Sequence, residues 1–139
     1  MLDQTDWQII KELTKNSRIK MKELGDKVHL TGQAAASRVA KLEDQGIIEG
    51  YTITLNQQKV GWTIHAFLTI ITESIHHRPY LEFVDANKEY VSNHYKISGD
   101  GCYILECRFP SYEELDAFLV DLNKQANYKL SIVINKQPV

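Results

Sequence analysis

Long apolar runs are missing from this chain of 139 residues. No stretch approaches the roughly 20 residues that a bilayer-crossing helix requires, so a membrane role is not expected. The opening MLDQTDW places acids where an export signal needs bases. Cysteine is scarce: Cys102 and Cys107 stand alone, at an odd separation that puts them on opposite faces of any strand holding both. An intrastrand disulfide is disfavoured, and a reducing, cytoplasmic setting is the expectation. Enzyme signatures are missing too. There is no phosphate-cradling glycine loop, no nucleophile elbow and no zinc-binding helix motif. His76-His77 offers two imidazoles, but no cysteine or acid recurs at metal-ligand spacing. Loop histidines are expected, with no metal, no cofactor and no enzymatic activity.

Net charge is also small, at -2, but its distribution is uneven. Between Lys15 and Lys41 stand seven bases (Lys15, Arg18, Lys20, Lys22, Lys27, Arg38 and Lys41) against Glu23 and Asp26, a local net of +5. From Tyr51 onward 8 bases face 10 acids. A basic segment on an acidic protein is what phosphate contact needs. The alternative is an ordinary solvated helical face.

The same segment carries a pattern. Leu24 and Val28 form an i, i+4 apolar pair, Leu30-Thr31 makes a turn, and Thr31 suits an N-cap. Val39 and Leu42 then give an i, i+3 apolar face, and Gly46 sits where a helix stops. This is helix-turn-helix spacing, with a second helix, Gly32 to Gln45, short enough for a DNA major groove. Upstream, Asp3 can cap a helix with Asp6 in its first turn and Ile9, Ile10 and Leu13 on its buried face, up to a break at Asn16-Ser17. Three helices over the first ~45 residues make a trihelical unit, with Trp7 expected as a core or domain-contact aromatic.

From Ile48 to Leu55 the period changes to two, with Tyr51, Ile53 and Leu55 alternating against threonines, and a strand is expected. Asn56 to Lys59 is a polar break. Beyond it the order reads strand (about Thr63 to Thr72, apolar on both faces), helix (from about Pro79), strand (Val91 to Ser98), a Ser98-Gly99-Asp100-Gly101 hairpin turn, and strand (Cys102 to Phe109). A capping box at Ser111 to Glu114 opens an amphipathic helix through Leu115, Phe118, Leu119 and Leu122. Alternating Tyr128, Leu130, Ile132 and Ile134 close the series. The expected class is α+β: a helix-turn-helix domain over 1–50, a linker strand over 51–60, and a βαββαβ ferredoxin-like antiparallel domain over 61–139, both helices on one face. The uncovered face wants a partner, and a second copy is the simplest one.

The stretches Leu2-Asp3-x-x-Asp6-x-x-Ile9-Ile10, Asn16-Ser17-Arg18-Ile19, Leu30-Thr31, and Arg38-Val39-x-x-Leu42-Glu43-x-x-Gly46-Ile47-Ile48-x-Gly50-Tyr51, with Gly61 and Gly99-Asp100 further on, form one series along the chain. Together they resemble the Lrp/AsnC, or feast/famine, family of bacterial and archaeal transcription regulators. The resemblance implies DNA binding by the first domain, dimers and often octamers through the second, and in many members an amino acid sensed between second domains. Against the family pattern, Lys20 replaces a capping serine, His29 a turn glycine and Cys102 an acid near the effector site, and the last strand enters through Asn127-Tyr128-Lys129 rather than Pro-Gly-Val. His tolerates left-handed backbone better than most residues, so the turn is expected to survive.

The candidate DNA contacts are Lys20, Lys22, Thr31, Gln33, Ala34, Ser37, Arg38 and Lys41. Gln33 can pair with adenine and Ser37 can reach several bases. The alanines at 34 to 36 offer contact to a thymine methyl, or serve helix propensity and close packing. Arg38 binds phosphate or buttresses the fold through an acid; the pattern does not choose. Gly99, Asp100, Gly101 and Cys102 are candidates for an effector, Asp100 receiving its ammonium, against a plain tight turn. The expected function is a sequence-specific DNA-binding regulator, dimeric or larger and modulated by an amino acid. The alternative is an architectural DNA-wrapping protein with little effector response.

Overall fold

The computed structural model describes all 139 residues and falls into two units, Met1–Thr54 and Leu55–Val139. The first contains α1 (Gln4–Lys15), α2 (Met21–Val28) and α3 (Gly32–Asp44). Asp3 caps α1 in a reciprocal box with Asp6, which satisfies backbone N–H groups that a helix start leaves free. Ile9, Leu13, Ile19, Leu24, Val28, Ala35, Val39 and Leu42 make one buried cluster, so each helix contributes one apolar stripe. α3 ends in a Schellman arrangement: Gly46, at a φ of 73°, donates to Glu43 O and Ile47 donates to Leu42 O.

One residue and one segment of this region depart from expectation. Trp7 does not take the core place of its two alternatives: it is 60 % exposed, because it lies on the side of α1 away from Ile9 and Leu13. The strand expected over Ile48 to Leu55 does not form: no ladder joins it to any other segment. Alternation marks which faces would be buried, but a strand also needs a neighbour for its N–H and C=O groups. Tyr51, Ile53 and Leu55 consequently stay exposed.

The second unit is a single antiparallel sheet of β1 (Ile64–Ile71), β2 (Val91–Lys96), β3 (Tyr103–Phe109) and β4 (Asn127–Ile132), in the order β2-β3-β1-β4, with α4 (Arg78–Ala86) and α5 (Tyr112–Leu122). This is the expected βαββαβ arrangement. Ile64, Ala66, Leu68 and Ile70 alternate inward and meet Tyr80 and Val84 of α4 and Leu115, Phe118 and Leu122 of α5. The opposite face has no helix. It presents Phe67, 38 % exposed, and half-buried Ile71, together with a His65 to Glu106 pair at 2.6 Å. β4 stops at Ile132, so Ile134 lies beyond it and is exposed. Leu130 and Ile132 pair with Leu68 and Ala66 on the helix side but stay partly exposed at this edge of the sheet.

Candidate nucleic-acid interface

The turn between α2 and α3 is built on backbone constraints. His29 closes α2 in the left-handed region at φ 61°, ψ 41°, so the expected tolerance is used. Its N–H and that of Leu30 both donate to Gly25 O. Thr31 then caps α3, its Oγ1 accepting from Ala34 N at 3.1 Å. The helices approach each other through two glycines. A Cβ on Gly25 would lie 2.5 Å from Leu30 O, and one on Gly32 would lie 3.0 Å from Lys22 Cα. The sequence reading passed over Gly25. Its signal was available: a glycine inside a helical pattern costs about 1 kcal/mol relative to alanine, so it needs a packing reason.

This geometry sorts the candidates. Gln33, Ser37 and Lys41 fall at i, i+4 and i+8 and form an exposed stripe on α3. Lys20 and Lys22 are exposed at the start of α2, where Lys20 is the N-cap and gives no side-chain cap. Ala35 is fully buried and packs, while Ala34 and Ala36 are half-buried. Thr31 is exposed, with its hydroxyl engaged in the cap. Arg38 is paired with acids of α1 and its cap, the contact that its buttressing alternative needs. Its Nη1 donates to Asp3 Oδ2 at 2.5 Å and to Asp6 Oδ1 at 3.2 Å, and this pairing holds the Asp3 carboxyl below its ordinary value.

The effector candidates lie in the other unit. Gly99 and Gly101 adopt φ of 102° and 138°, so the β2–β3 turn requires both glycines. Gly101 also lies against β1, where a Cβ would come 2.8 Å from Thr69 Cγ2. Asp100 is exposed at the tip. Cys102 N donates to Ile70 O, and the thiol lies 3.4 Å from Thr72 Oγ1, a contact that lowers its pKa. Both cysteines are free thiols. His76 and His77 lie in the connection between β1 and α4, as expected for loop histidines, with His77 at the N-cap of α4 and its ring bridging Thr72 Oγ1 and Tyr103 Oη at 2.9 Å each. No group of three His, Cys, Asp or Glu side chains could hold a metal ion. No helix is long and apolar enough to cross a membrane.

Comparison with known proteins agrees with this reading of the first unit. A family model described as "Winged helix-turn-helix DNA-binding" matches residues 2–49. The HTH-type transcriptional regulator LrpA of Bacillus subtilis is 62 % identical over 136 residues, covering 98 % of this chain and 100 % of that protein. LrpB of the same organism is 39 % identical over 135 residues, 97 % of this chain and 90 % of its own. Among solved structures, B. subtilis LrpC superposes with a TM-score of 0.92 at 28 % identity, covering 99 % of this chain and 98 % of that one. A transcriptional regulator of Neisseria meningitidis, solved in complex with L-Met, shares the fold at a TM-score of 0.89 and 23 % identity, over 100 % of this chain and 94 % of its own.

Proposed function

Since the chain belongs to the Lrp/AsnC family of DNA-binding transcriptional regulators and is not an enzyme, we propose that it works in the cytoplasm as a sequence-reading dimer or larger assembly. In this reading α3 enters the major groove of duplex DNA, and the second unit joins copies and receives an amino acid. The observation that carries the DNA part is the exposed Gln33, Ser37 and Lys41 stripe beside exposed Lys20 and Lys22. Gln33 and Ser37 supply hydrogen-bonding groups for base edges, and the lysines supply charge for phosphates. The uncapped start of α2 has N–H groups that a phosphate oxygen suits, which gives Lys20 a use that a capping serine would not have.

Lys41→Ala is expected to weaken binding to all sequences and to flatten the plot of log affinity against log salt by about one unit per lost phosphate. Gln33→Ala is expected to change sequence preference instead. Fluorescence anisotropy on promoter and mixed-sequence duplexes, repeated across salt, reads both. Affinity that does not respond to salt would reject the reading.

The small readers on α3 favour a second reading, an architectural DNA-wrapping protein, because Ala34 and Ala36 leave two side chains to specify bases. Equal affinity for promoter and random DNA would select it.

Assembly is supported by the helix-free sheet face and by exposed Tyr51, Ile53 and Leu55. Paired recognition helices would then meet half-sites about 34 Å apart or a multiple of that.

For the effector, a zwitterion needs an anion for its ammonium. Asp100 is the acid that the β2–β3 turn offers, with Cys102 where the family pattern has another. One lost charged partner costs about 1.5–3 kcal/mol, a ten- to hundredfold drop in affinity. Weak binding, in the millimolar range, is expected from calorimetry with methionine, leucine, asparagine, lysine and the aromatic amino acids. Cys102→Asp is expected to tighten it. Micromolar binding by the natural chain would show that the pocket does not need the second acid.

A further inference from the structure

The first turn of α1 has an unusual composition for a capping box. Serine or threonine with glutamate is the common pair, one charge at most. Here both members are aspartates. Asp3 Oδ1 accepts from Asp6 N at 2.8 Å, and Asp6 Oδ2 accepts from Asp3 N at 3.2 Å. Each carboxylate therefore spends one oxygen on the backbone. The two remaining oxygens, Asp3 Oδ2 and Asp6 Oδ1, converge on a single atom, Nη1 of Arg38. That nitrogen carries two hydrogens, one for each acid. The guanidinium comes from α3, 35 residues along the chain from Asp3. Its side chain is about one-third exposed, and Asp6 is more covered still.

Ala35, Val39 and Leu42, with the close approach at Gly32 and the Thr31 cap, fix which face of α3 is buried. Apolar contacts are non-directional, so a small rotation of the helix about its long axis costs them little. Arg38 lies next to Ser37 and one turn from Lys41, on the same helix as Gln33. A polar clamp of defined geometry at this position fixes which way that stripe points.

We propose that Arg38 is a positioning residue: it docks into the Asp3 and Asp6 capping box and sets the orientation of α3 for base reading, instead of binding phosphate itself. The proposal rests on α3 being the helix that meets DNA, which Gln33→Ala tests separately through sequence preference.

The test uses the full chain, a labelled promoter duplex and a labelled mixed-sequence duplex, with anisotropy measured across a salt series. The informative variant is Asp3→Asn with Asp6→Asn. Asparagine remains a good N-cap, so α1 keeps its box while Arg38 loses its anchor. Removing two negative charges raises affinity for a polyanion on electrostatic grounds alone. The positioning role reverses that sign at the promoter, with affinity expected to fall about tenfold, the scale of one lost base contact. Discrimination between the two duplexes narrows accordingly. Arg38→Gln is expected to give the same loss with an unchanged salt slope. Combining it with the double asparagine variant adds little further, because both act through one clamp. A salt slope reduced by about one unit in Arg38→Gln would identify a phosphate contact and overturn the proposal. So would promoter affinity that is equal or higher in the double asparagine variant, which remains decisive if Arg38→Gln fails to fold.

Discussion

Gly25→Ala is expected to collapse the helix-turn-helix and abolish DNA binding, although alanine is the better helix former. Gly25 sits inside α2, and in an isolated helix the change would stabilise by about 1 kcal/mol. Packing reverses the sign. The added Cβ would sit 2.5 Å from Leu30 O and 2.9 Å from Thr31 C and O. All three are backbone atoms, so no side chain can rotate away, and the turn itself must move. Leu30 N donates to Gly25 O and Thr31 caps α3, so moving the turn disturbs the end of α2 and the start of α3 together. Overpacking of this kind costs about 1–3 kcal/mol or more. In a small unit each kcal/mol lowers the melting temperature by about 4–8 °C. Circular dichroism melts and anisotropy on duplex DNA read the two effects. A variant that melts and binds like the natural chain would show that the turn can yield, contrary to the geometry.

The second large effect is expected at the open face of the sheet. Phe67→Lys should leave the protomer folded, since Phe67 is partly exposed and pairs across the ladder with Glu106, an acid that suits a cation. In an assembly that covers this face, the same lysine becomes a buried charge with an unfavourable desolvation cost. The proposed dimer should therefore dissociate. DNA affinity should then fall by about 10²–10⁴-fold, because two tethered recognition helices gain that factor over one. Light scattering gives the mass, and binding to a two-half-site duplex gives the affinity. A dimer that survives the change would place the interface elsewhere, with exposed Tyr51, Ile53 and Leu55 as the next surface to alter.

What the sequence revealed followed from how local each cause was. Caps at Asp3, Thr31 and Ser111 are short-range chemistry, and all three are used as caps. Apolar spacing was legible in α1, α2, α3, α5 and β4, because burial on one face is written into it, whereas β2, with the sequence VSNHYK, carries no such alternation and was marked by the Ser98 to Gly101 turn beside it. The strand at 48–55 failed for the complementary reason: its pattern was right, but pairing depends on a neighbour that this chain does not supply. Trp7 stays out of the core because aromatic character predicts burial only on average. At the interface, the exposed stripe of Gln33, Ser37 and Lys41 was readable from helical spacing. The partner of Arg38 was not, because Asp3 and Asp6 are distant in sequence and only the fold brings them to it. Gly25 lay between. Its residue type was a warning, but the atom it makes room for belongs to a turn whose path no local rule gives.

The strand order has a consequence in time. In the first unit three short helices pack within 54 residues, and helical units of this kind close in microseconds to milliseconds. β1 is different: it is the central partner of both β3 and β4, with Ile71 waiting for Asn127 and Ile64 for Phe109. During synthesis the helix-turn-helix can therefore be complete while β1, apolar on one face and part-apolar on the other, is still without either neighbour. A ribosome adds about 5–20 residues per second, so that interval lasts seconds. A chain arrested in it would carry a finished DNA-binding head on a sticky, unpaired strand, which exposes it to aggregation and degradation before it can reach a partner.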